Sequence, residues 1–525
     1  MALRSSVRNA LTAAALVVAA AALHGVSPTT ADPDGFYHVR HAWVYRTQGL
    51  LDSGFPWARF SAIRDQASDL WYGFHVLLVP ASAPQNLLHG LLGGGVAVTA
   101  ASLILLFAAF SLLRLRFPLA WLVLFAATGD VLFRLTMLRP QPLSLSLAVL
   151  ALALQAAPGL RHRAALVGLL AFVAAWIHLA LAWLVPLVVA SFAACALALR
   201  QRPDGWSAAA VVAGTILGWL LRPNPLGALR LAWIQLGLFL DVKRRGLPLP
   251  FGLELQPLSQ ALDLPRLILP GLALLAAVVA FALRLRREAA SAAPARLAAW
   301  ASLALGLLFA FLSVRVASRS IELAAAFLAA FAGLVFTEHW LAAAPRARAK
   351  AAVALLLLLA LLVPLAAARY EARVKGARPL LAFRGASAWL AQNSRPGELV
   401  FHAWWDQFPH LFFWNPRNHY VGGMDPLFQY AHDEALFWKA QGLAKDATAE
   451  ATCGKPACGP GEAEPSSLVL RRDFRASFVL LHRPLSPRLE AYLASQAGFA
   501  RAFDDGTDVV YRVQYDAGLP AGGAP

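Results

Sequence analysis

Long apolar runs alternate with short polar segments along most of the chain. Runs such as 163–200 and 351–368 hold about 18 or more residues with almost no charge, the length that a helix needs to cross a hydrocarbon core of roughly 30 Å. Counting these runs predicts about eleven membrane-spanning helices, at residues 9–25, 84–113, 118–134, 140–160, 163–181, 182–199, 206–221, 265–283, 297–314, 320–341 and 351–368. The first run also fits a cleaved signal peptide, but an uncleaved anchor is the favoured interpretation.

The composition excludes an ordinary soluble domain. Of the 525 residues, 59% are hydrophobic and 14% are charged, and the mean hydropathy is +0.58. A typical globular domain has roughly 45–50% apolar residues. The predicted fold class is therefore an α-helical polytopic membrane protein embedded in a lipid bilayer.

The formal net charge of +17 raises the question of nucleic acid binding, because basic domains often bind phosphate backbones. The positions of the basic residues exclude it. They form short clusters between the apolar runs, at residues 114–116, 161–163, 200–202, 284–287 and 346–350. This is the positive-inside pattern of membrane proteins, and it predicts that these clusters face the cytoplasm. The cluster at residues 243–245 is the exception, because it would face outward.

Three longer polar regions interrupt the membrane pattern, and the count of spans places all of them on the outer side. They are an outer loop at residues 26–83, a second outer loop at 221–264 and a tail at 369–525. The chain thus divides into a transmembrane domain, 1–368, and a soluble, non-cytoplasmic domain, 369–525. Long outer loops suit an enzyme whose substrates meet at the outer leaflet.

The tail has the pattern of a small α/β domain. A helix is predicted at residues 380–392, and short apolar strands at 398–402, 477–481 and 509–513. The Gly/Pro/Ala-rich stretch 448–464 is predicted to be a mobile loop, and about the last eight residues to be disordered. Within that loop, Cys453 and Cys458 fit either a short disulfide or two free thiols.

Two carboxylates, Asp32 and Asp34, follow the first span directly, at the membrane surface. Charge beside a bilayer is costly unless it is solvated, paired or used. One interpretation is structural: either residue could cap a helix at 35–49, with Pro33 near its first turn. A role in chemistry is the alternative, and the two can hold together.

The run ADPDGFYHVR at residues 31–40 resembles the first external loop of class C (GT-C) glycosyltransferases, among them the catalytic subunit of oligosaccharyltransferase. In that class, similar loops supply an acidic residue that binds a metal or activates the acceptor. The resemblance implies that Asp34 or Asp32 is this catalytic residue. It places His38 and Arg40 about one helical turn downstream, where they could face the same pocket.

A second stretch, Trp404-Trp405-Asp406, lies at the head of the tail. It is similar to the Trp-Trp-Asp-Tyr-Gly signature of the oligosaccharyltransferase subunit, which holds the acceptor. Gln407 and Phe408 replace the Tyr and Gly, so recognition of the same acceptor is not implied. The alternative is that the two tryptophans belong to a domain core or an interfacial belt.

The family also carries an acidic pair in its second external loop, which helps to hold a divalent metal such as Mg²⁺ or Mn²⁺. Here only Asp130 is acidic, so a metal would be bound by Asp34 and Asp130 or arginines would replace it. Arg134 and Arg139 suit a phosphate, because guanidinium groups bind phosphate oxygens bidentately. Arg319 is a further candidate for the donor phosphate, with a simple ion pair to Glu322 as the alternative. Glu254, in the second outer loop, is a possible acid or a solvated loop residue.

These resemblances imply a glycosyltransferase of a bacterial inner (plasma) membrane, with residues 369–525 outside the cytoplasm. It would move a sugar or oligosaccharide from a polyprenyl phosphate or pyrophosphate donor to an acceptor. An inverting displacement needs a carboxylate near the acceptor nucleophile and positive charge at the leaving phosphate. The main alternative is a lipid or saccharide transporter without catalysis, whose intramembrane arginines would line a lipid path; a third is a structural membrane protein with a binding tail.

Overall fold

The computed structural model describes residues 2–157, 159–258, 271, 278 and 293–515. The chain forms two compact units, each assembled from three separate segments. The helical unit is Met1–Asp32, Leu92–Leu221 and Phe251–Ala377; the mixed unit is Pro33–Leu91, Arg222–Pro250 and Arg378–Pro525. The predicted division into 1–368 and 369–525 concerns position relative to the membrane, and it stays a prediction.

The chain is a multi-pass integral membrane protein. Among the described residues, 7 helical segments are long and apolar enough to cross a bilayer: Val7–His24, Leu87–Leu112, Leu179–Ala198, Pro225–Arg245, Ala295–Arg315, Ser320–Ala342 and Pro345–Lys375. Shorter apolar helices are Gln141–Ala156, Arg163–Ile177 and Gly205–Leu220. Most of the predicted spans are thus observed as apolar helices, and the predicted span 265–283 lies outside the described residues apart from Gly271 and Val278.

Two predictions about the membrane region need correction. The predicted span 118–134 is broken into helices Pro118–Ala126 and Val131–Leu135, because the chain turns at Gly129, whose φ is +54°. The predicted outer loop 221–264 contains a continuous 21-residue helical segment, Pro225–Arg245. The exceptional basic cluster at residues 243–245 forms the last turn of this segment, where positive charge interacts favourably with the negative end of the helix dipole. Asp241 forms ion pairs with Arg244 and Arg245.

Glycines allow two helices of the helical unit to pack closely. Gly214 and Gly218 lie one turn apart on helix Gly205–Leu220 and face helix Arg163–Ile177. A Cβ atom at Gly214 would lie 2.0 Å from the carbonyl oxygen of Gly168, and one at Gly218 would lie 2.3 Å from that of Phe172. No larger side chain fits, so this is the small-residue interface typical of membrane helices.

The mixed unit is built on a five-stranded sheet. Its strands are β1 Leu399–His402, β2 His419–Tyr420, β5 Phe478–His482, β6 Phe499–Asp504 and β7 Asp508–Val513, and a separate pair is formed by β3 Ala451–Thr452 and β4 Glu464–Pro465. The five strands lie in the order β2-β1-β5-β7-β6. The β1 strand is parallel to both β2 and β5, whereas β7 is antiparallel to β5 and β6. The predicted strands at 398–402, 477–481 and 509–513 are confirmed as β1, β5 and β7.

Helices surround this sheet and bury its apolar side chains. Those after residue 377 are Arg384–Asn393, Phe408–Trp414, Pro426–His432, Glu434–Ala444, Ser466–Arg472 and Pro487–Ser495. The predicted helix 380–392 is observed as Arg384–Asn393. Cys453 and Cys458 form a disulfide bond, which closes a short loop between β3 and β4. The residues predicted to be disordered at the C-terminus lie outside the described part of the chain.

From Pro33 onward, the first loop is part of the same unit. Its helices are Asp34–Gln48, Ala62–Gln66 and Tyr72–Leu77. Ala58 forms a parallel bridge with Tyr420 beside β2, and the indole N–H of Trp57 donates to the carbonyl oxygen of Pro416. The loop therefore extends the sheet instead of lying apart from it.

Candidate functional site

Charged side chains meet in the helical unit at points where helices end. Asp32 precedes the first-loop helix, Arg134 lies on the short helix Val131–Leu135, and Arg139 lies in the turn before helix Gln141–Ala156. Glu254 lies in a single 3₁₀ turn, and Glu322 in the first turn of helix Ser320–Ala342. Side chains at helix ends are not needed for packing between the helices, so they are available for binding or catalysis.

These residues form a chain of ion pairs. We call them, together with Arg319, the arginine cluster. Arg139 donates through Nε and Nη2 to the two oxygens of Asp32, each at 2.5 Å. Its Nη1 lies 3.4 Å from Glu254 Oε1, and Arg134 Nη1 lies 4.0 Å from the same oxygen. Arg134 Nε in turn lies 2.9 Å from Glu322 Oε1. The two guanidinium groups are thus held by three carboxylates.

Arg319 lies beside this chain. Its backbone N–H donates to the carbonyl oxygen of Glu254 at 2.9 Å. Burial by itself raises the pKa of Glu254, but Arg134, Arg139 and Arg319 lower it to about 2. Glu254 is therefore a carboxylate at neutral pH, and it acts as a counter-ion instead of the acid considered from the sequence. With three arginines against three carboxylates, the cluster is close to neutral.

The predicted catalytic carboxylates have different surroundings. The Asp32 side chain is 1% exposed, and its two oxygens accept hydrogen bonds from Arg139. Asp34, which belongs to the mixed unit, is also buried and is the first residue of helix Asp34–Gln48. The predicted cap position needs correction: the cap residue is Pro33, and Asp34 is the first residue of the helix.

His38 and Arg40 contact different neighbours, because residues two apart on a helix do not face each other. His38 Nδ1 lies 2.7 Å from His75 Nε2. Arg40 Nε donates to the carbonyl oxygen of Phe413 at 2.8 Å, and its guanidinium lies over Trp43 and Phe413. Arg40 thus links the first loop to helix Phe408–Trp414. A pocket shared by the two side chains stays a prediction.

The first loop contains a buried network that the sequence did not suggest. His75 Nδ1 lies 2.6 Å from Asp69 Oδ2, and the Tyr45 hydroxyl donates to the same oxygen at 2.8 Å. His41 stacks on His75 with ring centroids 4.2 Å apart. Burial raises the pKa of Asp69, but His75 and His41 reverse this and hold it well below its usual range. We call His41, Asp69 and His75 the histidine cluster.

Among the described residues, the histidine cluster is the one group of His, Cys, Asp and Glu side chains whose ligand atoms lie close enough to share a metal ion. The predicted metal ligands are not part of it. Asp130 accepts a hydrogen bond from Arg373 at 2.7 Å in the helical unit, whereas Asp34 belongs to the mixed unit. A metal bound by Asp34 and Asp130 stays a prediction.

The Trp-Trp-Asp stretch directly follows β1. The indole N–H of Trp405 donates to the carbonyl oxygen of Pro250, and Asp406 Oδ2 accepts from Arg378 Nη2 at 3.1 Å. The three side chains Trp404, Trp405 and Asp406 are half-buried. They therefore combine a packing role with access from outside, which leaves the predicted acceptor role open.

Several polar atoms near this stretch are buried. Among the described residues, Trp404 Nε1, Gln407 Nε2 and both ring nitrogens of His410 have no hydrogen-bond partner. Burial, and then Arg378, lower the pKa of His410 to about 3, so its ring is neutral. Buried polar groups without partners are uncommon and often contact water or a ligand.

Solved structures share this fold along nearly the whole chain. ArnT from Cupriavidus metallidurans in the apo state has a TM-score of 0.54 at 14% identity, with 97% of this chain and 98% of that chain aligned. The same protein bound to undecaprenyl phosphate gives 0.54 at 13% identity, over 100% of both chains. The Archaeoglobus fulgidus oligosaccharyltransferase, tethered with an acceptor peptide containing the NVT sequon, gives 0.53 at 12% identity, over 96% of this chain and 74% of that one.

ArnT and the oligosaccharyltransferase are both class C glycosyltransferases. This chain has the GT-C fold. The resemblance found in the first loop and in the Trp-Trp-Asp stretch is therefore confirmed at the level of the fold. No protein-family model and no curated protein sequence matches the chain.

Proposed function

We propose that this chain is a membrane glycosyltransferase that takes a sugar from a polyprenyl phosphate or pyrophosphate donor and transfers it to an acceptor on the outer face of the membrane. The observation that carries the proposal is the likeness over the full length of both chains to ArnT bound to undecaprenyl phosphate. A lipid phosphate is the chemistry that the arginine cluster is suited to hold.

In this proposal the arginine cluster binds the donor phosphate. Arg134, Arg139 and Arg319 bring several N–H donors to one place, and guanidinium groups match phosphate oxygens in geometry. As the bond between the sugar and the phosphate oxygen breaks, negative charge grows on that oxygen and the arginines stabilise it. Asp32 orients Arg139 through the two hydrogen bonds described above.

Asp34 is the first candidate for the general base, because it belongs to the run that resembles the first external loop of GT-C enzymes and is followed by His38. The acceptor oxygen attacks the anomeric carbon, its proton passes to the Asp34 carboxylate, and the phosphate leaves with the bonding electrons. Asp32 is the second candidate for this role. Trp404, Trp405 and Asp406 are proposed to border the acceptor, because half-buried aromatic faces suit sugars and peptide backbones.

The same proposal places residues 369–525 outside the cytoplasm of a bacterial cell, with the chain in the inner membrane. The disulfide between Cys453 and Cys458 supports this side, because disulfides persist in oxidising compartments. An alkaline phosphatase fused to the C-terminus should be active, and a fluorescent protein at the same point should be dark. The opposite pair of results would contradict the orientation.

Binding and transfer can be tested separately in purified protein. Native mass spectrometry with undecaprenyl phosphate should show bound lipid on the wild type and on Asp34→Asn, and at least tenfold less on Arg134→Met. Transfer from lipid-linked sugars should fall about 10²- to 10⁴-fold in Asp34→Asn, the usual cost of removing a catalytic base. Asp52→Asn, an exposed residue of the first loop, is the matched control.

The outcomes separate the proposal from its rivals. A transporter would keep near-normal lipid or saccharide flux in Asp34→Asn reconstituted in vesicles, and no sugar would be transferred by the wild type. If Arg134→Met bound the lipid as well as the wild type, the arginine cluster would not be the donor site.

A further inference from the structure

The histidine cluster has the composition of a site for a borderline transition-metal ion. His41, Asp69 and His75 are buried, with 2%, 3% and 0% of their surfaces exposed, and their ligand atoms lie within 4.8 Å of one another. Two imidazoles and one carboxylate are a common three-residue set for zinc in proteins. Imidazole nitrogen selects Zn²⁺ and its neighbours over Mg²⁺ and Mn²⁺, which prefer oxygen ligands.

Each member of the cluster also has a partner that orients it. His75 Nδ1 faces Asp69, while His75 Nε2 lies 2.7 Å from His38 Nδ1. His41 Nδ1 lies 2.9 Å from the Tyr37 hydroxyl, so its Nε2 is the nitrogen that a metal would take. Histidines that bind metals usually make such a bond through their second ring nitrogen, because it fixes the tautomer and the direction of the ring.

Asp69 is held in the same way. Its Oδ1 accepts from the backbone N–H of Trp71 at 2.8 Å, and its Oδ2 accepts from the Tyr45 hydroxyl. Arg222 donates to the backbone carbonyl oxygens of Asp69 and Leu70 and holds this stretch of backbone in place. Both Asp69 carboxylate oxygens thus have a partner that fixes the direction of the group, as is usual for a metal ligand.

We propose that His41, Asp69 and His75 bind one Zn²⁺ ion, which joins helix Asp34–Gln48 to helix Tyr72–Leu77 inside the first loop. The ion takes the place of the proton between His75 and Asp69, and a water molecule completes four-coordination. The ion holds helix Asp34–Gln48, which carries Asp34 and His38, against helix Tyr72–Leu77. The inference does not depend on the transferase proposal, because the metal is bound whether or not a sugar is transferred.

Metal content tests the site directly. The protein is purified with a streptavidin-binding tag, since a polyhistidine tag would itself bind metal, then loaded with Zn²⁺ and dialysed against metal-free buffer. Mass spectrometry of the elements should find about one zinc per wild-type chain. His41→Ala and His75→Ala should hold less than a tenth of that. His89→Ala, which removes an exposed histidine of the same unit, should match the wild type.

Two further measurements cover variants that fail to fold. In the unaltered protein, Co²⁺ should replace Zn²⁺ and give the visible absorption bands of tetrahedral cobalt, and added Zn²⁺ should remove them. His38→Ala, which removes the partner of His75 and no ligand, should weaken zinc binding about 10- to 100-fold in competition with a zinc-binding dye. The proposal is overturned if the wild type retains no zinc, if His41→Ala retains as much as His89→Ala, or if Mn²⁺ binds and Zn²⁺ does not.

Discussion

Replacing Arg139 with methionine should leave the Asp32 carboxylate buried without its partner. Both Asp32 oxygens accept from Arg139 at 2.5 Å, and the two side chains are 1% and 14% exposed. Breaking one side of a buried ion pair costs about 3–5 kcal/mol, because the remaining charge stays desolvated. Arg139→Met should therefore lower the free energy of unfolding by roughly that amount.

A double variant tests whether the loss comes from the broken ion pair or from the substitution at position 139 itself. Asp32→Leu combined with Arg139→Met removes both charges, and replacing a buried pair by apolar groups is often neutral or stabilising. The double variant should thus recover most of the loss. Arg373→Met is the matched control, because its pair with Asp130 is 44% and 26% exposed and such pairs contribute about 0.2–1 kcal/mol.

The assay is reversible unfolding in mixed micelles, with sodium dodecyl sulfate as the denaturant and intrinsic tryptophan fluorescence as the signal. A coupling energy between Asp32 and Arg139 near zero would refute the reasoning. So would a loss in Arg139→Met no larger than that in Arg373→Met, because the Asp32–Arg139 pair would then behave as a surface pair.

Three further predictions concern other parts of the chain. His410 has a pKa of about 3 in the folded protein, below its ordinary value of 6.5. As the pH falls below 6.5, His410 therefore takes up a proton in the unfolded chain but not in the folded one, and the free energy of unfolding decreases. His410→Phe should reduce this pH dependence by up to about 1.4 kcal/mol per pH unit, measured by unfolding at pH 7, 6 and 5. Cys453→Ser should cost about 2 kcal/mol by loop entropy, and a maleimide should label only Cys195 in the unreduced protein. Gly214→Leu should lower the free energy of unfolding by about 1–3 kcal/mol or more, because its side chain would meet the Gly168 carbonyl. Gly205→Ala is the control, since its Cβ atom would meet no atom within 4 Å, and it should change stability little. Thermal denaturation of both variants checks this.

The sequence predicted those features that depend on local pattern. Apolar length located most of the membrane helices, and short apolar runs located β1, β5 and β7. It failed at Gly129, where one turn breaks an apolar run, and in Pro225–Arg245, where polar ends concealed a helix. Hydropathy averages over a window, so it cannot register a single backbone turn or a helix that is apolar on part of its surface.

Contacts between distant positions could not be predicted at all. Arg139 was identified as a phosphate ligand from its charge, but its partners Asp32 and Glu254 lie 107 and 115 positions away along the chain. The histidine cluster was missed for the same reason, because Asp69 and His75 are separated from His41 by a long stretch of the first loop that contains helix Ala62–Gln66. Only Asp69 and His75 lie near each other in the sequence, 6 positions apart, and two such residues without a third ligand do not indicate a metal site.

The near neutrality of the arginine cluster has a consequence for competition among lipids. Bacterial bilayers contain acidic phospholipids in large excess over any carrier lipid, and three bare arginines would attract all of them. Here Asp32, Glu254 and Glu322 already balance those charges. If the proposed function holds, an entering donor phosphate would displace a carboxylate from its guanidinium, so a weakly bound headgroup would gain little by exchange. The same carboxylates would return as the product phosphate leaves, which would shorten the time that a spent carrier stays bound.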